Sequence, residues 1–198
     1  MPSLLDSLEH YYAPSRAHWR QWLADNHTSQ QGVWLIYYKK SSGVPSLTYD
    51  EAVEEALCFG WIDSKPNTID EQSYKQLFSP RNPKSVWSKL NKTRIEKLIA
   101  DGLMAEAGLQ KIEIAKQNGT WTALDAVEAL TIPEDLDDAL VNNPKAKQYF
   151  DAFPPSAKKA ILWWIESAKR PETRLERINR TVADAAQNIR ANQYTNNK

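Results

Sequence analysis

Thr48-Tyr49-Asp50-Glu51-Ala52-Val53-Glu54-Glu55-Ala56-Leu57-Cys58-Phe59-Gly60-Trp61-Ile62-Asp63-Ser64 reads as a helix that stops on glycine and hands the chain to a strand. Thr48 and Glu51 have capping-box spacing: the threonine hydroxyl accepts from the Glu51 amide while the Glu51 carboxylate reaches back. Ala52, Val53, Ala56 and Leu57 recur three and four apart, which gives the helix one buried face. Gly60 supplies the left-handed stop, and Trp61 to Lys65 continues extended.

On the N-terminal side, Arg16 to Leu23 has helical periodicity and should stop near Asn26, and Val33 to Lys39 is a strand rich in β-branched and aromatic residues. Gly43 and Pro45 punctuate the loop that follows. On the C-terminal side, Ser73 to Phe78 is a second extended stretch, joined to Trp61–Lys65 through a turn marked by Pro66-Asn67-Thr68 and Asp70-Glu71. An isolated hairpin is marginal in water, so the three strands need the Thr48 helix as packing partner. Beyond Pro83 the chain is helical. Asn91 is placed to cap a helix to Ala100, and a further helix runs from Ala105 to Asn118. Thr131-Ile132-Pro133-Glu134 has the spacing of another capping box, and Asn142-Asn143-Pro144 breaks the helix it opens. Lys145 to Phe153 is a short helix. A helical hairpin then closes the chain, with stripes Ala157, Ile161, Trp164, Ile165, Ala168 and Leu175, Ile178, Val182, Ala185, Ile189. The expected fold class is α+β, a small antiparallel sheet packed with helices in the N-terminal half and an all-helical C-terminal third. The expected organisation is an α+β domain over 1–120, a helical region over 121–191 packed on it, and a disordered tail over 192–198.

With 198 residues the chain is long enough to bury its own core without metal or disulfide. The single cysteine, Cys58, lies in an apolar run where a buried, reduced thiol is expected, in keeping with a reducing, cytoplasmic compartment. The N-terminus lacks the pattern of a secretory signal, and no stretch approaches the run of about 18 apolar residues that spans a bilayer. Charge balances to zero but is unevenly spread. Lys75 to Lys97 holds seven Lys/Arg against Glu96 alone, while Asp50–Asp63 and Asp125–Asp138 hold five and six acids and no base. These runs are either solvated faces that neutralise one another in the fold or, for the basic one, a surface facing an anion. Zero net charge argues against a general nucleic-acid binder.

Two segments hold the candidate site residues. One is Cys58 to Ser64, with Trp61 and Asp63; the other is Phe78 to Ser88 and on to Asn91, with Arg81, Ser85 and Trp87. Arg81 offers a planar fork of donors suited to a carboxylate or phosphate. Ser85 is placed to cap the following helix, and the indoles of Trp61 and Trp87 would be flat walls. The functional reading is a pocket formed by Trp61, Asp63, Arg81, Ser85, Trp87 and Asn91 for a small anionic or zwitterionic ligand. The structural reading pairs Asp63 with Arg81 and puts the tryptophans in the core, where Trp19, Trp22, Trp34, Trp163 and Trp164 also belong. No metal or cofactor is expected: His10, His18 and His27 have no cysteine or acid at ligand spacing, and no P-loop, GxGxxG or GxSxG occurs. Glu54/Glu55 and Asp137/Asp138 are adjacent on helices and read as solvated faces. Arg170, Arg174 and Arg177 share a helix face, open to pairing with Glu172 and Glu176 or with the acidic segment at Asp125–Asp138.

The ensemble Leu57-Cys58-Phe59-Gly60-Trp61-Ile62-Asp63-Ser64, Ser79-Pro80-Arg81, Ser85-Val86-Trp87-Ser88 and Asn91, with Pro133-Glu134-Asp135-Leu136, Trp164-Ile165 and Glu172-Thr173-Arg174-Leu175-Glu176-Arg177-Ile178, resembles the YdeI/OmpD-associated (bacteriocin-protection) family over roughly residues 15 to 190. The resemblance implies a cytoplasmic bacterial protein that protects against bacteriocins or cationic antimicrobial peptides through envelope stress. It carries no catalytic residue across. The expected function is therefore a binding or stress-protection module for a small anionic ligand or an acidic protein partner, without membrane insertion. The narrow apolar seam of the C-terminal helix suits either packing on its neighbour or a homodimer surface. The alternative is an enzyme on a small anionic substrate, with Arg81 as anchor and Asp63 as base.

Overall fold

The computed structural model describes residues 4–192, so residues 193–198 of the expected tail lie outside the described residues. In it the chain forms two compact units, Met1–Thr122 and Ala123–Lys198. The first holds β1 (His10–Tyr12), α1 (Arg16–Asn26), β2 (Val33–Tyr38), α2 (Tyr49–Cys58), β3 (Trp61–Thr68), β4 (Ser73–Pro80), α3 (Lys89–Ala100) and α4 (Glu106–Gln117). The second holds α5 (Asp125–Glu128), α6 (Glu134–Val141), α7 (Pro144–Ala152), α8 (Pro155–Glu166) and α9 (Pro171–Ala185). The α+β class holds, with a four-stranded sheet in the N-terminal half and a helical C-terminal region.

In the first unit the Thr48 capping box forms as its spacing demands: the Thr48 side chain accepts from the Glu51 amide and the Glu51 carboxylate accepts from the Thr48 amide at 2.8 Å. Ala52, Val53, Ala56 and Leu57 are all buried. The sheet order is β1-β2-β4-β3. Its β2–β4 and β3–β4 pairs are antiparallel, but the edge strand β1, which the sequence pattern does not reveal, lies parallel to β2. The sheet is therefore mixed rather than wholly antiparallel. Three residues carry too little periodicity to announce a strand. Register puts Val33, Leu35 and Tyr37 of β2 opposite Phe78, Gln76 and Tyr74 of β4, with Asp63 of β3 opposite Phe78. These side chains share one face of the sheet. Pro66 is tolerated because β3 is an edge strand. Asp70 closes the β3–β4 turn by accepting from the amides of Gln72 and Ser73 at 2.8 and 2.7 Å.

Tryptophans fill the space between sheet and helices. Trp19 and Trp22 of α1 stack at 5.3 Å, Trp19 meets Phe78 edge-on, and Trp22 meets Trp61 edge-on. Their buried indole N–H groups find carbonyls: Trp19 donates to Ala52 and Trp61 to His27. Glu55 departs from the solvated face expected of it. It is only 2% exposed and receives Arg16 Nε at 2.5 Å and Arg20 Nη1 at 2.6 Å. Burial pulls both arginines' pKa down, but hydrogen bonds and charge from Glu55 outweigh it, so both end above the ordinary value.

Neither Asn91 nor Ser85 caps α3. Ser88 does, accepting from the Asn91 amide at 3.3 Å, and Asn91 sits inside the first turn. Ser88→Ala should cost about 1 kcal/mol in urea denaturation, while Ser85→Ala should stay within about 0.5 kcal/mol of wild type.

The second unit is built around Leu136, Leu140, Phe150, Ile161, Leu162, Ile165, Ile178 and Ala185, all buried. Thr131 makes no capping box: α6 starts after Pro133 with no side-chain cap. Asn143 instead caps α7, accepting from the Ala146 amide at 3.1 Å ahead of Pro144. The α8–α9 hairpin forms, but Leu175 and Ile189 fall outside its seam and are exposed. Trp163 and Trp164 are half-buried. Arg174 pairs with Asp135 of the unit's own acidic segment at 2.6 Å and with Glu166 at 3.1 Å, while Arg177 donates to the Trp164 carbonyl and to Ser167. Among the described residues no helix is long and apolar enough to cross a membrane.

Candidate functional site

Where the first turn of α2 overhangs β3 and β4, the first unit opens into a cleft of about 690 Å³ lined by Lys39, Tyr49, Asp63, Lys65, Tyr74 and Gln76 among others. Asp63 is fixed there by two neutral donors on the same oxygen: the Tyr49 hydroxyl at 3.0 Å and the Gln76 amide at 2.9 Å. Gln76, itself 4% exposed, also donates to the Ser64 carbonyl at 2.5 Å. Directly after Asp63 the β3–β4 register shifts, so Ser64 and Lys65 stand opposite Leu77 alone. A bulge of this kind re-aims the side chains beside it. Lys39 holds the Glu71 carbonyl at 2.8 Å, and the ring of Tyr74 stacks on Tyr37 at 4.8 Å and 5°. The Tyr37 hydroxyl is buried and has no hydrogen-bond partner among the described residues. Burial, then the charges of Tyr74, Asp63 and Tyr49, push its pKa far up.

Of the six residues singled out by sequence, the cleft contains Asp63. Trp61 and Trp87 are 1% and 2% exposed and belong to the core. Ser85 is half-buried in a turn, its amide donating to Asn82 at 2.9 Å. Asn91 accepts from Arg94, which in turn pairs with Asp50. Part of the basic run is thus neutralised by the acidic one.

Arg81 is also in the interior, 4% exposed. Its guanidinium lies 3.6 Å over the Trp87 ring and donates from Nη2 to the Val86 carbonyl, but among the described residues Nε and Nη1 have no partner. Among the described residues no carboxylate comes within ion-pair distance of it. Burial lowers its pKa to about 10, against an opposing pull from the Asp63 charge, so it stays ionised at neutral pH. Because the folded value lies below the unfolded one, the penalty is present in full below pH 10 and lifts only as pH rises above that. Its size is about 3 kcal/mol, comparable with what the stack and the Val86 hydrogen bond return. Arg81→Met, which keeps volume and discards the charge, should therefore melt within about 1 kcal/mol of wild type. Arg81→Ala, which also opens a cavity, should lose about 2–4 kcal/mol.

Tyr49, Tyr74, Gln76, Lys39 and Lys65 were not singled out by sequence reasoning. The signal that would have found them is alternation: Gln76 is a polar residue at an inward position between Tyr74 and Phe78, and a buried polar side chain needs a partner. Cys58 contributes no chemistry to the cleft. Burial pushes its thiol up to about 11, chiefly by desolvation and next by the Glu55 charge. Among the described residues no group of three or more His, Cys, Asp or Glu side chains could hold a metal ion.

Comparison with known proteins divides the chain in two. Residues 11–111 match the family described as Domain of unknown function (DUF8412), and residues 129–188 match the family described as Bacteriocin-protection, YdeI or OmpD-Associated. No curated protein and no solved structure matches. The bacteriocin-protection match thus lies in the helical unit, and the Leu57–Asn91 ensemble falls within the other family. Over half its length, including the whole cleft, the chain belongs to the family of the domain of unknown function DUF8412, and it continues into a region that matches the family described as Bacteriocin-protection, YdeI or OmpD-Associated.

Proposed function

We propose that this protein acts in protection against bacteriocins or antimicrobial peptides as a binding module, and that its α+β unit takes a small anionic ligand in the cleft above Asp63. The observation that carries the reading is the cleft itself: about 690 Å³, within the range of small-molecule sites, and flanked by Lys39 and Lys65. Both lysines are exposed, so an anion meets them without deep desolvation. Arg81, the anchor that a catalytic reading requires, lies in the core rather than along this cleft. The lone buried Cys58 fits work in a reducing compartment such as the cytoplasm.

The test is a thermal-shift screen of small carboxylates and phosphate esters on wild type and on the Lys39→Ala/Lys65→Ala double variant. At least one compound should raise the unfolding temperature of wild type and lose that effect in the variant. A rise that survives in the variant moves binding elsewhere, and no rise with any compound overturns the proposal.

A further inference from the structure

Resting on that reading, we infer that the ligand is a zwitterion whose protonated nitrogen sits on Asp63, between the rings of Tyr49 and Tyr74, with its anionic group outward toward Lys39 and Lys65. Two inward carboxylates of this unit, Glu55 and Asp63, differ in how their charge is met. Glu55 is matched by Arg16 and Arg20 at 2.5 and 2.6 Å. Asp63, half-buried, has hydrogen bonds among the described residues only from the neutral Tyr49 and Gln76, both on Oδ2. Among the described residues no cation lies within ion-pair distance of Asp63, and Oδ1 accepts from no group. The buried Arg81 acts on Asp63 only from beyond ion-pair distance, so a carboxylate held by neutral donors at the edge of a cleft has room for a cation in direct contact.

The walls agree. Tyr49 and Tyr74 both line the cleft, and Tyr37 backs Tyr74 ring on ring. Aromatic faces attract ammonium groups through their quadrupole and add to the carboxylate's pull. A plain anion would satisfy the lysines and meet repulsion from Asp63, whereas a plain cation would leave the lysines unused. A zwitterion satisfies both ends.

Three probes of one chain length separate the possibilities: 4-aminobutanoate, butanoate and butylammonium, at equal concentration and ionic strength, read by thermal shift on the full chain. The zwitterion should raise the unfolding temperature of wild type more than either single-charge probe. Its advantage over butanoate should vanish in Asp63→Asn, which keeps an oxygen for Tyr49 and Gln76, while the butanoate response persists. If butanoate stabilises wild type as well as the zwitterion does, or if Asp63→Asn leaves the zwitterion's advantage intact, this inference fails and the anion-binding proposal stands. If neither butanoate nor 4-aminobutanoate shifts wild type, this inference fails, and the anion-binding proposal falls with it only when no carboxylate or phosphate ester of the screen shifts wild type either.

Discussion

Gly108→Ala should cost the protein about 3 kcal/mol or more, which lowers its unfolding temperature by roughly 10 °C. Gly108 is buried in α4 where that helix crosses the last turn of α2. A β-carbon there would stand 2.3 Å from the Cys58 carbonyl oxygen and 2.8 Å from the Leu57 carbonyl oxygen. Both are backbone atoms of a helix end that cannot swing aside as a flexible side chain would. The same junction is tied by the Ala105 amide to the Cys58 carbonyl at 3.1 Å and by Gly60, whose φ of +73° starts β3 toward the cleft. Gly43→Ala is the control. Its φ is +71° with nothing within 4 Å of the added carbon, so only backbone strain of about 1–2 kcal/mol applies. Chemical denaturation of the two variants checks the difference. Equal losses would mean that α2 and α4 do not approach so closely.

Glu55→Ala should cost about 3 kcal/mol, because removing one partner of a buried charge cluster leaves the others unmatched. Arg16 and Arg20 keep about a third of their side chains exposed, 33% and 37%, so they regain some hydration and the loss falls at the lower end of what such disruptions cost. Arg20 also donates to the Leu103 carbonyl at 2.8 Å, so the cluster ties α1 and α2 to the chain between α3 and α4. Glu54→Ala, which removes the outer contact to Arg16, should cost less than about 1 kcal/mol. Urea denaturation of both variants reads the contrast. A Glu55→Ala loss as small as that of Glu54→Ala would contradict the buried network.

The local signals in the sequence were strong where one residue type does one job. The Thr48 capping box, the Gly60 stop and the β-branched run at Val33 specify their elements almost alone, since each is settled within a few residues. The alternatives that failed were contests between neighbours. Ser85, Ser88 and Asn91 all suit a helix start, and which one serves depends on where the loop after Pro83 leaves the chain. Thr131 lost its role because α6 begins at Glu134, directly after Pro133, too late for a threonine three residues upstream. Charge was legible only as segments: that Arg94 would meet Asp50 and Arg174 would meet Asp135 needs the fold. In the site, Asp63 stood out because it follows the glycine stop. Its partners Tyr49 and Gln76 come from sequence positions 14 and 13 residues away, and only strand register and the helix overhang bring them to one carboxylate. The two tryptophans offer flat faces and Arg81 a planar fork of donors, properties that serve a core as well as a pocket.

Whether ligand binds in the cleft is tested most directly by amide NMR during titration of 4-aminobutanoate into the full chain. Saturable shifts should concentrate at Tyr49, at Asp63 to Lys65 and at Tyr74 to Gln76, with the amides of the second unit unmoved. Saturable shifts confined to other surfaces, or none at Asp63 and Gln76 at any ligand concentration, would contradict it.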